Sequence, residues 1–133
     1  MKFLIDTNIV LEIILEQDKA AEAKQLLSHS DEYDLYLSDY SLHSIGLLLF
    51  RRNQHHVFFD FVSDMILNAR LRVISISAKN MDAVVQVAQE LNLDFDDAYQ
   101  YITAEWFGLE IVSFDRDFDR TPRGRKTPDR LGV

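Results

Sequence analysis

The sequence contains no cysteine. That excludes a disulfide framework and any thiolate-ligated metal site. Glycine is scarce, four in 133 residues, and no glycine-rich loop follows the first apolar run. The phosphate-cradling turn of a dinucleotide-binding fold is therefore excluded. Positive charge is in deficit: 14 Lys and Arg face 22 Asp and Glu, for a net charge of −8. This argues against a chain that coats nucleic acid through basicity, but not against an acidic site that holds a metal. No apolar run approaches the roughly 20 residues that span a bilayer. The amino terminus carries no signal-peptide pattern, because Asp6 follows Ile5 at once. A soluble, cytoplasmic protein with no membrane partner is expected. Repeats, linkers and low-complexity segments are missing too, so residues 1–133 read as a single domain.

What is present is a core. The apolar fraction of 47% and nine phenylalanines place the chain among globular proteins. Lys2-Phe3-Leu4-Ile5 reads as a short strand buried on both faces, and Asp6 ends it. Asn8 is placed to cap a short helix to about residue 16. Ala20, Ala23, Leu26 and Leu27 give one face of a helix over 18–28. Residues 35–37 read as a strand ended by Ser38 and Asp39. Leu42, Ile45 and Leu49 define a helix over 41–52, and a broad apolar stripe from Val57 to Ile66 another over 54–68.

Residues 72–76 are β-branched and strand-like, and Ser77 caps a helix with Met81, Val84, Val85, Ala88 and Leu91 on its face. A further helix begins near Asp96 and ends around Phe107 and Gly108. Residues 110–114 form a strand that runs directly into Asp115, and 123–127 can add a short edge strand. Strands alternating with helices imply an α/β domain. The expected architecture is a three-layer α/β/α sandwich around a central, mostly parallel sheet of four to five strands.

In such a sheet the parallel strands end at one edge, where open α/β folds place their ligands. Asp6 and Asp115 both lie there. The helix beginning near Asp96 is joined to the next strand by a very short turn, so its first turn, with Asp96 and Asp97, returns to the same edge. Asp96 is most simply an N-cap and Asp97 a first-turn anion favoured by the helix dipole. Asp6, ending a buried strand, is costly unless paired or ligated. Asp117 follows two residues after Asp115. Clustered carboxylates repel unless a cation neutralises them, and oxygen-only ligands select Mg²⁺ or Mn²⁺. A metal held this way polarises a phosphoryl oxygen and lowers the pKa of a bound water, as phosphodiester hydrolysis requires.

At these residues the sequence resembles a family. Ile5-Asp6-Thr7-Asn8 looks like the opening signature of PIN domains. Phe95-Asp96-Asp97-Ala98 and Val112-Ser113-Phe114-Asp115-Arg116-Asp117-Phe118 look like the two later acidic motifs. The resemblance covers nearly the whole chain, and the length fits the VapC-like toxin branch. It implies a Mg²⁺- or Mn²⁺-dependent endoribonuclease, the toxin of a toxin–antitoxin pair. By that resemblance Asp6, Asp97 and Asp115 are the catalytic, metal-binding acids, Asp117 is an auxiliary one, and Thr7 or Asn8 braces Asp6.

One position departs from the pattern. Such toxins usually carry a glutamate in the helix after the second strand, where this chain has Ser44. His43, Ser44 and Asp39 are the polar groups at hand to compensate. The alternative is a catalytically weakened PIN-like module that binds RNA or a protein. Residues 116–130 hold six basic residues against three acidic ones, so by difference the rest of the chain carries −11. This basic stretch suits a phosphate backbone, with Arg116, Arg120 and Arg123 as the RNA contacts. Core packing is the expected use of Phe58 and Phe61, while Phe59 marks a surface for a homodimer or an antitoxin.

Overall fold

The structure is a computed structural model that describes residues 1–131. Four strands, β1 (Lys2–Ile5), β2 (Asp34–Ser38), β3 (Arg72–Ile74) and β4 (Glu110–Val112), form one sheet in the order β3-β2-β1-β4. Every pairing is parallel. β1 is central, and its apolar residues Phe3, Leu4 and Ile5 are completely buried. Because side chains alternate along a strand, Phe3 and Ile5 enter one core and Leu4 the other.

Helices α1 (Thr7–Ile14), α2 (Ala20–Ser28), α3 (Asp39–Arg51) and α4 (His55–Phe61) supply the first core through Ile9, Ala23, Leu26, Ile45, Leu49 and Phe61. Helices α5 (Met81–Leu91) and α6 (Phe95–Phe107) supply the second through Val84, Val87, Ala98, Ile102 and Ala104. The three layers are thus helices, sheet, helices. From β1 to β3 the chain moves steadily outwards. It then returns past β1 to lay down β4, and the connecting helices change face, as right-handed connections require. The reversal puts the switch point of the sheet between β1 and β4, whose carboxyl ends open a crevice there.

Several boundaries differ from the sequence reading, and two of them shape the site. Helix α1 is capped by Asp6, not Asn8: Asp6 is extended (φ −70°, ψ 156°) and its Oδ1 accepts the Thr7 N–H at 2.8 Å. Helix α6 is capped by Asp94, not Asp96, because Asp94 Oδ1 accepts the Asp97 N–H at 3.0 Å. Asp96 and Asp97 are therefore inside the helix with side chains free for other partners. Ser38 caps α3, taking the Ser41 N–H at 3.1 Å. The helix expected over 54–68 widens from Val62 to Asn68 into a π-helix.

Gly108 ends α6 in the left-handed conformation (φ +68°), a stop only glycine makes without strain. The edge strand expected over 123–127 is reduced to one isolated bridge between Val112 and Lys126. Gly124 on one side has φ +65° and Pro128 on the other lacks an N–H, so the ladder cannot extend. Among the described residues no helix is long and apolar enough to cross a membrane.

Candidate functional site

The crevice at the switch point is a cleft of about 220 Å³ lined by Asp6, Thr7, Asn8, Leu11, Tyr40, Asp96, Asp97 and Asp115. Three of the chain-distant acids expected at this edge, Asp6, Asp97 and Asp115, do converge here. Their surroundings differ.

Asp6 is 8% exposed and hydrogen-bonded on both oxygens. Oδ1 accepts from the Thr7 N–H and from Gln100 Nε2 at 3.0 Å, and Oδ2 accepts from Ser113 Oγ at 2.6 Å. Burial pushes its pKa above the ordinary carboxylate value, while these donors pull it down. Ser113 uses its full hydrogen-bonding capacity: besides donating to Asp6 it accepts from Asn8 Nδ2 at 3.2 Å and from the Asp115 N–H at 2.9 Å. One serine hydroxyl therefore ties Asp6 to Asp115. Asn8 Oδ1 in turn accepts the Phe114 N–H at 3.2 Å. Thr7 braces Asp6 through its backbone, and its hydroxyl donates instead to Ser41 Oγ at 2.8 Å.

Gln100 was not foreseen. It lies three residues after Asp97, hence on the same face of α6, and that spacing is the signal that could have found it. Its Nε2 also donates to Ser41 Oγ at 2.8 Å. A carboxylate cannot donate, so Asp6 dictates that the amide nitrogen faces it. Gln100 Oε1 is then left buried with no hydrogen-bond partner among the described residues.

Asp97 is as buried as Asp6, at 7% exposed, but its neighbours are acids. Its pKa is pushed up to about 8, first by burial and then by Asp115, Asp94 and Asp6. One oxygen each from Asp97, Asp115 and Asp117 lies within 4.8 Å of the others, so one cation could contact all three. The Asp117 N–H donates to Asp115 Oδ1 at 2.8 Å, which orients the loop that carries both. The donor set fits a hard divalent cation: every candidate ligand atom is a carboxylate oxygen, and the mutual repulsion that raises Asp97 is what a 2+ charge relieves.

Of the three polar groups expected to compensate for the usual glutamate, Ser44, Asp39 and His43, none lines the cleft. Ser44 is half-buried beside the Tyr40 hydroxyl and does not line the cleft. Asp39 Oδ1 accepts from the Tyr99 hydroxyl and from the Tyr40 N–H, both at 2.8 Å. His43 is exposed and lines a shallow apolar depression with Leu47 and Phe50.

The basic stretch is largely occupied with the protein itself. Arg120 donates to Asp117 at 3.0 Å and to the Asn92 carbonyl at 2.7 Å. Arg123 caps the end of α6, donating to the Leu109 carbonyl at 3.0 Å and to that of Ala104 at 3.4 Å. Arg125 pairs with Asp119, and Lys126 with Glu110. Of the three arginines expected to meet RNA, only Arg116 is exposed with no hydrogen bond or ion pair among the described residues. Phe58 and Phe61 pack against the first core, and Phe59 is 64% exposed.

A sequence profile of the PIN domain matches residues 3–124. No curated protein matches by sequence. Among solved structures, the chain is similar to a toxin–antitoxin complex from Klebsiella pneumoniae: 25% identity, a TM-score of 0.73, and coverage of 94% of this chain and 96% of that one. It shares its fold with VapBC2 from Rickettsia felis, solved bound to a DNA fragment from their promoter, at 18% identity and a TM-score of 0.72, covering 95% of this chain and 97% of that one. It also shares it with Mycobacterium tuberculosis VapC20, described as a sarcin-ricin loop cleaving toxin, at 21% identity and a TM-score of 0.66, covering 88% and 92%. A profile match across nearly the whole length, with the acids of three separate segments gathered at the sheet's switch point, makes this chain a member of the PIN domain family.

Proposed function

We propose that this protein is a divalent-metal-dependent endoribonuclease, acting as the toxin of a toxin–antitoxin pair in the cytoplasm. The observation that carries the reading is the meeting of Asp97, Asp115 and Asp117 in an all-oxygen cluster beside Asp6. Asp97, Asp115 and Asp117 would hold Mg²⁺ or Mn²⁺, with Asp6 next to them. Such an ion supplies Lewis-acid polarisation of a phosphoryl oxygen and a water of lowered pKa. The chain's own residues set the stage. Ser113 and Gln100 fix the Asp6 carboxylate, and Ser113 also fixes Asp115 through its backbone. Exposed Arg116, next to Asp115 in the chain, is the cation placed to meet a substrate phosphate. For a protein partner, an apolar cleft of about 290 Å³ lined by Val10, Ile13, Ile14, Leu27, Phe61 and Met65 gives an antitoxin segment somewhere to seat.

The test is RNA cleavage by the purified chain in Mn²⁺, in EDTA, and with Asp97→Asn. Cleavage that needs the metal and disappears in the variant supports the reading; cleavage that survives Asp97→Asn sinks it. A second reading, a weakened PIN-like module that binds RNA or a protein, is favoured by Ser44 at the usual acid and by Arg120 on Asp117. Calorimetry with Mn²⁺ separates the two. An absence of both heat and cleavage selects the module.

A further inference from the structure

The longest run without an acid in this acidic chain is residues 40–59, which make up most of α3 and α4. It holds Arg51, Arg52 and three of the four histidines, His43, His55 and His56. With histidine neutral it carries +2, and by difference the rest of the chain carries −10. On α3, His43, Leu47 and Phe50 recur at i, i+4 and i+7, so they share one face. That face is open to solvent, with Leu47 58% and Phe50 53% exposed. It is also hollowed. Gly46 has no side chain, so the Phe58 ring of α4 closes on α3; a Cβ at Gly46 would lie 3.3 Å from that ring. Here lies a depression of about 270 Å³, lined by Leu42, His43, Gly46, Leu47, Phe50 and Phe58. The Phe50 ring sits 4.1 Å from that of His55, and His55 lines a second hollow with Phe59, which is 64% exposed. Arg51 and Arg52 are exposed, and neither side chain has an ion pair among the described residues. The dipole of α3 accounts for one cation at its carboxyl end. It does not account for twenty residues without an acid, nor for exposed Leu47 and Phe50 beside them.

We propose that the outer face of α3, with the α3–α4 corner, docks an acidic amphipathic helix of a protein partner. Its apolar side chains enter the depression between Leu47 and Phe58, and its carboxylates meet Arg51 and Arg52. Charge commits the face to that occupant. A cationic surface on an otherwise strongly acidic protein selects acidic partners and turns basic ones away. A second copy of the chain is a poor fit. A two-fold contact sets the same patch against itself, which here brings Arg51 and Arg52 of both copies together with no acid between them. A phosphate backbone would satisfy the arginines and leave the depression of Leu42, Leu47 and Phe58 unfilled. An amphipathic helix satisfies both, since anchors at i, i+4 and i+7 are how such helices enter apolar grooves. The face shares no residue with the apolar cleft on α1 and α2 or with the acidic cleft. The proposal therefore stands apart from the nuclease reading.

The experiment selects a displayed library of random peptides of about 16 residues, some four helical turns, on the whole chain. Leu47→Glu serves as the counter-target. The enriched sequences should be net acidic, with apolar residues at i, i+4 and i+7. The most enriched peptide, labelled, is then titrated by fluorescence anisotropy against wild type, Leu47→Ser and the double variant Arg51→Glu/Arg52→Glu. Leu47→Ser should weaken binding about tenfold or more, as the loss of a buried leucine does. The double reversal should weaken it about tenfold or more at low salt and much less at high salt. Thermal melts of both variants should match wild type, because the altered side chains are exposed. Failure to enrich any sequence over Leu47→Glu, or enrichment of neutral or basic ones, overturns the proposal. So does displacement of the peptide by a uridine oligonucleotide, which would make the face one for nucleic acid. Sedimentation that finds wild type alone dimeric and Leu47→Glu monomeric overturns it in favour of a second copy.

Discussion

Asp6 and Asp97 are buried to nearly the same depth at the same sheet edge, 8% and 7% exposed, yet they occupy opposite kinds of environment. Asp6 is met by a backbone N–H, an amide and a hydroxyl. Asp97 is met by the carboxylates of Asp115, Asp94 and Asp6. The first arrangement satisfies a charge and the second frustrates one. Burial by itself therefore does not set the charge balance of a carboxylate; the sign of the neighbours does. The contrast also divides the labour of the cleft. The Asp6 side is held by hydrogen bonds that join β1, α1, α6 and the loop after β4. On the proposed reading, the Asp97 side is the one whose repulsion a cation would relieve.

The contrast can be broken at its largest effect first. Asp97→Asn should weaken Mn²⁺ binding by more than about 100-fold, since even outer-shell changes at metal sites cost 10- to 100-fold, while leaving the EDTA melting temperature level or higher. Calorimetry and thermal melts in parallel check both halves. Asp6→Ala should do the reverse to the fold. It strands three buried donors and removes the α1 cap, so urea unfolding should show a loss of about 2–4 kcal/mol. A wild-type midpoint in that variant would erase the distinction between the two acids.

The pH dependence follows from Asp97. Its folded pKa of about 8 lies above the ordinary 3.8, so between those values the folded protein holds a proton that the unfolded chain has released. Its stabilising contribution is full below pH about 4 and is lost as pH rises through about 8. In EDTA, the stability difference between wild type and Asp97→Asn should move against wild type over that window. Mn²⁺ affinity should rise over the same window, because binding must expel that proton. A difference flat in pH would mean that Asp97 is already ionised. The smallest effect belongs to Arg120→Ala. Freeing exposed Asp117 from its arginine should tighten Mn²⁺ about two- to fivefold and change stability by less than about 1 kcal/mol.

Much of this was legible in the residues. The buried run Phe3-Leu4-Ile5 and the apolar residues before Asp115 fixed two parallel strands, and the very short turn at Gly108 fixed the direction of α6. From these the meeting of Asp6, Asp97 and Asp115 follows by topology. The capping of α1 and α6 was not legible, because several polar residues crowd each helix start. Asn8 and Asp96 are good caps by type, but in each case the cap lies two residues earlier, at Asp6 and Asp94. The scaffold of the site was also hidden. Ser41, Gln100 and Ser113 matter through where their hydroxyl and amide atoms point, and no periodicity reports that. The basic stretch misled for a related reason: composition counts charges but not their partners, and Arg123 turned out to cap a helix.

Helix α6 carries one more consequence. Eight consecutive residues, from Asp97 to Ala104, are buried, so the middle of this helix is enclosed on every side, while its first turn lines the cleft. Its amides should be among the slowest in the molecule to exchange with solvent, opening only with global unfolding. Asp97 and Gln100 thus belong to the least mobile part of the protein.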